Sequence, residues 1–221
     1  MDRPKTGGRL FSFRFFPIDM SRIVASPCQL AFRIKKYHVS GERYRHTLKG
    51  GAILAANHLS FSDPFLISST FWYRRVFYLA AEVVMQGKLR SFLLRGTGCI
   101  KIDRNISDLE AIKKSVSLLK DGRCLAVFPQ GTVVRGEEDV KVKSGAVLIA
   151  LQAGVPIVPM YSLKRKHWYE RKRMVIADPI DPRDYVTKKI PSMKDIAAVS
   201  QALQDALHRC QELCEKLEAE K

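Results

Sequence analysis

The sequence predicts an α/β fold, a mostly parallel or mixed sheet flanked by helices, and three observations carry that prediction. From Gly51 onward, short apolar runs alternate with segments of helical character. The spacing between successive runs is that of strand–helix–strand crossovers, which parallel pairing requires. Hydrophobic residues make up 46% of the 221 positions, enough for a sizeable core in one large domain.

Taken in order, Ala52 to Ala56 is short and wholly apolar, as a buried strand should be. Pro64 suits the first turn of a helix running to about Phe71. Val76 to Ala80 reads as a strand, residues 85–94 as a helix ending near Gly96 and Gly98, and Cys99 to Ile102 as a short strand. Ser107-Asp108-Leu109-Glu110 has the form of a capping box, with Ile112, Val116 and Leu119 on one face and Asp121-Gly122 as the stop. Cys124 to Phe128 is another buried strand, and residues 144–152 form a helix closed by Gly154. Pro156 to Tyr161 is a strand whose two prolines place it at an edge or give it an irregular exit, and Val175 and Ile176 mark one more. Residues 196–217 carry Ile196, Val199, Leu203, Leu207, Cys210, Leu213, Cys214 and Leu217 at three- and four-residue intervals, a helix docked by one face.

Residues 1–50 differ in character from residues 51–221. They hold eleven Lys or Arg against three acids, interleaved with aromatic and aliphatic side chains. That mixture suits a segment lying in a membrane interface, and Pro17 and Pro27 divide it into short helices. The whole chain carries 38 Lys and Arg against 22 Asp and Glu, a formal net charge of +16, which implies a polyanionic partner. The basic stretch from Lys164 to Arg173, with Trp168 and Tyr169 inside it, suits bilayer headgroups, coenzyme A phosphates or an acidic carrier protein, or is a solvated connector. Five cysteines with no CxxC pair and no histidine at ligand spacing argue against a disulfide framework and against a metal site, and fit a reducing cytoplasm. No run of eighteen apolar residues and no secretory signal is visible. No helix-turn-helix, zinc or RNP pattern accompanies the positive charge, so nucleic acid is not the expected partner.

Asn57-His58-Leu59-Ser60-Phe61-Ser62-Asp63 falls at the first strand-to-helix junction, where α/β proteins gather their sites. Five residues separate His58 from Asp63, room for a turn that sets the carboxylate against one imidazole nitrogen and so makes a general base of the other. The same spacing equally fits Asp63 as a helix N-cap and His58 as a turn residue. Three later strand ends bear on the choice. Ile102-Asp103-Arg104 puts a guanidinium fork at the sheet edge, suited to phosphate or to a surface ion pair. Phe128-Pro129-Gln130-Gly131-Thr132 turns sharply, with backbone N–H groups and a hydroxyl able to face an anion, and Arg135 follows it. Val155-Pro156-Ile157-Val158-Pro159 suits core packing or the wall of an apolar slot.

In this order, those four stretches resemble the glycerolipid acyltransferase family, in particular the bacterial 1-acylglycerol-3-phosphate acyltransferases. The likeness runs from about Gly51 to Met160. The family's NHxxxxD is met by Asn57, His58 and Asp63, its strand ending in Asp-Arg by Asp103 and Arg104, and its Val-Pro-Ile-Val-Pro strand by Val155 to Pro159. Its FPEGT-Arg is met in part, because Gln130 stands in place of glutamate and Val133 in place of arginine.

The resemblance implies an O-acyltransferase moving a fatty acyl group from acyl-CoA or an acyl carrier protein to lysophosphatidate, with no further cofactor, at the cytoplasmic face of an anionic membrane. It implies His58 as base and Asp63 as its orienter. Arg104, Gln130, Gly131, Thr132 and Arg135 would hold the acceptor. The altered third motif keeps other acceptors open: another lysophospholipid, glycerol 3-phosphate or an amino lipid. Water as acceptor, which would make the protein a thioesterase, remains a further alternative.

Overall fold

A computed structural model of the chain describes residues 34–60, 62–81, 87, 94, 98–102, 108–129, 142–163, 172–186 and 191–220. Their strands are β1 (Lys35–His38), β2 (Ala52–Ala56), β3 (Val76–Ala81), β4 (Cys99–Ile102), β5 (Cys124–Val127), β6 (Ile157–Tyr161) and β7 (Arg173–Ile176). They form one sheet in the order β1-β7-β6-β2-β5-β3-β4. The five strands from β6 to β4 run parallel, and β7 and β1 run opposite to them. The described helices are α1 (Asp63–Thr70), α2 (Leu109–Lys120), α3 (Gly145–Ala153) and α4 (Met193–Ala219). The mixed, mainly parallel sheet flanked by helices is the architecture the sequence predicts.

The central strands are apolar on both faces because each face has its own layer to bury. Ile53 and Ala55 of β2, Leu125 and Val127 of β5 and Ile157 of β6 pack with α2, α3 and the first half of α4. Their neighbours Leu54 and Ala56, Ala126, and Val158 and Met160 point the other way, onto Leu66, Ile67 and Phe71 at α1. The second half of α4 lays Ala206, Cys210 and Cys214 against Tyr161 and Val175. Helix α4 begins with a full capping box, in which Ser192 and Asp195 exchange side-chain and backbone bonds. Helix α2 is capped by Asp108, which accepts from the Ala111 N–H at 2.9 Å.

At the sheet edge where β2 begins, the backbone packs too closely for a side chain. A Cβ at Gly51 would stand 2.1 Å from the Leu119 carbonyl oxygen, so even alanine would force the α2–β2 contact apart. The Arg74 guanidinium closes the same edge by donating to the carbonyls of Leu48, Gly50 and Gly122.

The structure changes two expectations and decides between the alternatives in two others. Residues 35–38, within the stretch read as interfacial, form the edge strand β1, paired with β7. The proline-containing strand β6 is interior, between β7 and β2. Pro159 is accommodated because its ring nitrogen faces β7 where that ladder is interrupted. On this side its carbonyl accepts from Ala177, and regular β6–β7 pairing covers only Met160 and Tyr161. Of the two readings of Val155–Pro159 the structure shows core packing, with Ile157 and Val158 fully buried. At the end of the basic stretch, Lys172 is buried and Arg173 pairs with Glu218 of α4, so these two cations are structural. All of the helix expected at 85–94 except residues 87 and 94, together with residues 1–33 and 164–171, lies outside the described residues.

No described helix is long and apolar enough to cross a membrane. Among the described residues no group of three metal-ligating side chains occurs.

Candidate active site

Strands β6, β2 and β5 are adjacent, and they deliver three segments to the carboxyl edge of the sheet: Ser162, Asn57-His58 and Phe128. The central segment is fixed first by Asn57, which is 4% exposed at the end of β2. Its Nδ2 donates to the Ser162 carbonyl and its Oδ1 accepts from the Ser162 N–H, both at 2.9 Å. One amide thus pairs with both backbone groups of one residue and extends the β2–β6 ladder beyond the last backbone pair, Ala56 with Met160.

After Asn57 the chain turns back on the Asp63 carboxylate. Oδ2 accepts from the backbone N–H groups of Leu59 and Ser60, each at 2.7 Å, and lies 3.0 Å from His58 Nδ1. An oxygen already accepting two peptide N–H bonds is an acceptor for the third. Nδ1 therefore carries the imidazole proton and Nε2 carries the lone pair, a tautomer assigned from the bonding pattern. The Asp63 side chain is 5% exposed and that of His58 18%, so the pair is shielded while the imidazole still reaches the surface.

Asp63 is not the cap of the following helix. Helix α1 starts at Asp63 itself, Ser62 occupies the N-cap position with its hydroxyl bonded to Ser60 Oγ rather than to the helix, and the carboxylate faces the preceding turn. Its other oxygen, Oδ1, is buried with no hydrogen-bond partner among the described residues. Burying an unpaired carboxylate oxygen costs stability, a cost that functional sites commonly carry.

The third segment supplies an aromatic wall. Phe128 stacks on the imidazole with ring centroids 4.0 Å apart and planes inclined by 18°. Its other contacts are with the core layer beneath α1.

The three buried cysteines are poor alternative nucleophiles. Burial pushes the Cys124 thiol up to about 11, Cys210 to about 12 and Cys214 to about 11, so all three are protonated at neutral pH.

Of the site residues expected from sequence, the structure brings His58 and Asp63 into direct contact. Arg104, Gln130, Gly131, Thr132 and Arg135 lie outside the described residues. Sequence reasoning gave no role to Ser162, whose backbone holds Asn57 from 105 positions away, nor to the ring of Phe128. The signal for Asn57 was present: a polar residue closing an apolar strand needs a buried partner.

The profile of the acyltransferase family matches residues 36–163. The chain belongs to that family. A 1-acyl-sn-glycerol-3-phosphate acyltransferase of Bacillus subtilis is 29% identical over 173 residues, covering 76% of this chain and 83% of that protein. One from Streptococcus pneumoniae is 31% identical over 168 residues, 72% of this chain and 60% of that protein. A lyso-ornithine lipid O-acyltransferase of Pseudomonas aeruginosa is 29% identical over 123 residues, 55% of this chain and 45% of that protein. In fold, this acyltransferase is similar to the crystal structure of the 1-acyl-sn-glycerophosphate (LPA) acyltransferase PlsC from Thermotoga maritima. The TM-score is 0.62 at 17% identity, covering 90% of this chain and 80% of that one.

The Asn57–Ser162 clamp leads to a stability prediction. Asn57→Ala removes two buried hydrogen bonds and takes their partner from the backbone N–H and C=O of Ser162, which should lower the unfolding free energy by about 2–4 kcal/mol. Urea denaturation measures it. A loss below about 0.5 kcal/mol, the scale of a neutral surface change, would contradict the clamp.

Proposed function

We propose that this acyltransferase moves a fatty acyl group from a thioester, acyl-CoA or acyl carrier protein, to the free hydroxyl of lysophosphatidate, giving phosphatidate. The observation that carries the reading is the His58–Asp63 pair at the carboxyl edge of a family-typical sheet. Nε2 of His58 takes the proton of the acceptor hydroxyl as its oxygen bonds to the thioester carbonyl carbon. Asp63 keeps the proton on Nδ1 and offsets the positive charge that forms on the ring. The tetrahedral adduct collapses by breaking the C–S bond, and the imidazolium returns its proton to the departing thiolate. Atoms and charge balance without an acyl-enzyme and without a cofactor beyond the thioester. Arg104 would hold the acceptor phosphate, with Gln130, Gly131, Thr132 and Arg135 around it.

Relatives named for lysophosphatidate support this acceptor. A second acceptor class, an amino lipid, is favoured by the match to a lyso-ornithine lipid enzyme. Val133 favours it too, since it removes a guanidinium that the family usually directs at a phosphate, while Gln130 keeps an acceptor oxygen without the charge of glutamate.

The same reading puts the protein at the cytoplasmic face of an anionic bilayer, as a peripheral protein. The basic, aromatic character of residues 1–50 and the net charge of +16 support it. So does Phe65, which is 53% exposed on α1 two positions beyond Asp63, and Trp72, 50% exposed just past the end of that helix.

His58→Ala, purified and shown to be folded, should lose acylation of lysophosphatidate by at least about a hundredfold. Activity within a few-fold of the parent would remove His58 as the base. A parallel assay with lyso-ornithine lipid separates the two acceptor classes: the better substrate by kcat/KM identifies the acceptor.

Membrane contact is tested by co-sedimentation with vesicles. Binding should be stronger to anionic than to neutral phosphatidylcholine vesicles and should weaken with added salt. Equal or absent sedimentation with both would contradict it.

A further inference from the structure

The hydrogen bond from His58 Nδ1 to Asp63 fixes one point of the imidazole ring but not its plane. With the ring tethered through Cβ and bonded at Nδ1, any coupled turn of the two side-chain torsions moves Nε2, the atom on its far side. Phe128 acts directly on the plane of the ring. Its ring lies 4.0 Å from the imidazole at 18°. It is anchored from behind by the core layer under α1. The geometry is rigid at its base, because Phe128 directly follows β5 and His58 lies two residues beyond β2. Those strands are neighbours, paired from Ala52 with Cys124 to Ala55 with Val127. The bond to Asp63 and the stacked face of Phe128 both bear on where the Nε2 lone pair points.

We propose that Phe128 is a positioning residue for the acyl transfer: its ring sets the plane of the His58 imidazole and so keeps Nε2 aligned on the acceptor hydroxyl. The proposal rests on reading His58 as the base. It gives the aromatic residue of the third motif a task separate from acceptor binding. An aromatic face also suits the ring once it has taken a proton, because a π face attracts a cation. An aliphatic side chain of similar volume would fill the space without offering either the plane or the π face.

The test compares Phe128→Leu and Phe128→Tyr with the parent protein, each checked for folding by thermal denaturation. The first readout is independent of activity: the carbon-bound ring protons of His58, assigned by histidine labelling and NMR, should resonate upfield because they lie over an aromatic face. That shift should persist in Phe128→Tyr and vanish in Phe128→Leu. The second readout is kinetic. Phe128→Leu should lose about ten- to a hundredfold in kcat, the scale of a misaligned reacting group, with both KM values within about twofold of the parent. Phe128→Tyr should restore most of kcat.

The proposal is overturned if the parent shows no upfield shift, if Phe128→Leu keeps full kcat, or if its loss appears in acceptor KM instead. It is also overturned if Phe128→Tyr is as slow as Phe128→Leu. Should Phe128→Leu fail to fold, the parent ring shift and the Phe128→Tyr kinetics still decide. Failure of the base reading looks different: His58→Ala would stay active whatever the NMR of Phe128 variants showed.

Discussion

One carboxylate oxygen organises the site. Asp63 Oδ2 accepts from two successive peptide N–H groups and faces the imidazole of His58. The two backbone bonds shape the turn, and the third partner is the ring that the turn exists to hold. A single atom therefore couples the path of the chain to the tautomer of the histidine. The same coupling explains why Asp63 leaves the cap of α1 unserved: its lone pairs point back toward the turn, and Ser62 stands at the N-cap with its hydroxyl turned to Ser60 instead of the helix. Helix α1 tolerates that because Pro64 in its first turn has no N–H to satisfy, and because Leu66 and Ile67 anchor it in the core.

The turn has this precision because of where β2 lies. A strand with parallel neighbours on both sides ends between two other strand ends, and each contributes a restraint. From β6 come the Ser162 backbone groups that grip Asn57, and from β5 comes the ring of Phe128. The site is built by three consecutive strands that are far apart in the chain. Their burial on both faces, under α1 on one side and α2, α3 and α4 on the other, keeps their ends in register.

Much of this was legible in the sequence, for physical reasons that also mark its limits. Central parallel strands such as Ala52–Ala56 and Cys124–Val127 announce themselves as wholly apolar runs, because both their faces are buried. Edge strand β1, with the sequence Lys-Lys-Tyr-His, carries no such run, since an edge strand in a basic segment is only half covered. Pro159 misled in a different way. A proline removes one N–H, which excludes it from a complete ladder but not from an interior strand whose ladder is interrupted at that residue. Within the site, the pairing of His58 with Asp63 was readable because both lie in one turn. The choice between orienter and helix cap was not, because it depends on the direction in which the carboxylate faces. The Asn57–Ser162 clamp and the Phe128 stack join residues far apart in sequence, and only the strand order brings them together.

If Asp63 acts on the reaction through His58, the two residues form one unit and their removal should not be additive. The most direct measurement is a double-mutant cycle on kcat/KM for thioester-dependent acylation, using His58→Ala, Asp63→Asn and the double variant, all confirmed to be folded. The account predicts that the double variant is no slower than His58→Ala alone, within about twofold to threefold. Losses that multiply across the two positions would show that Asp63 serves the reaction independently of His58 and would contradict it.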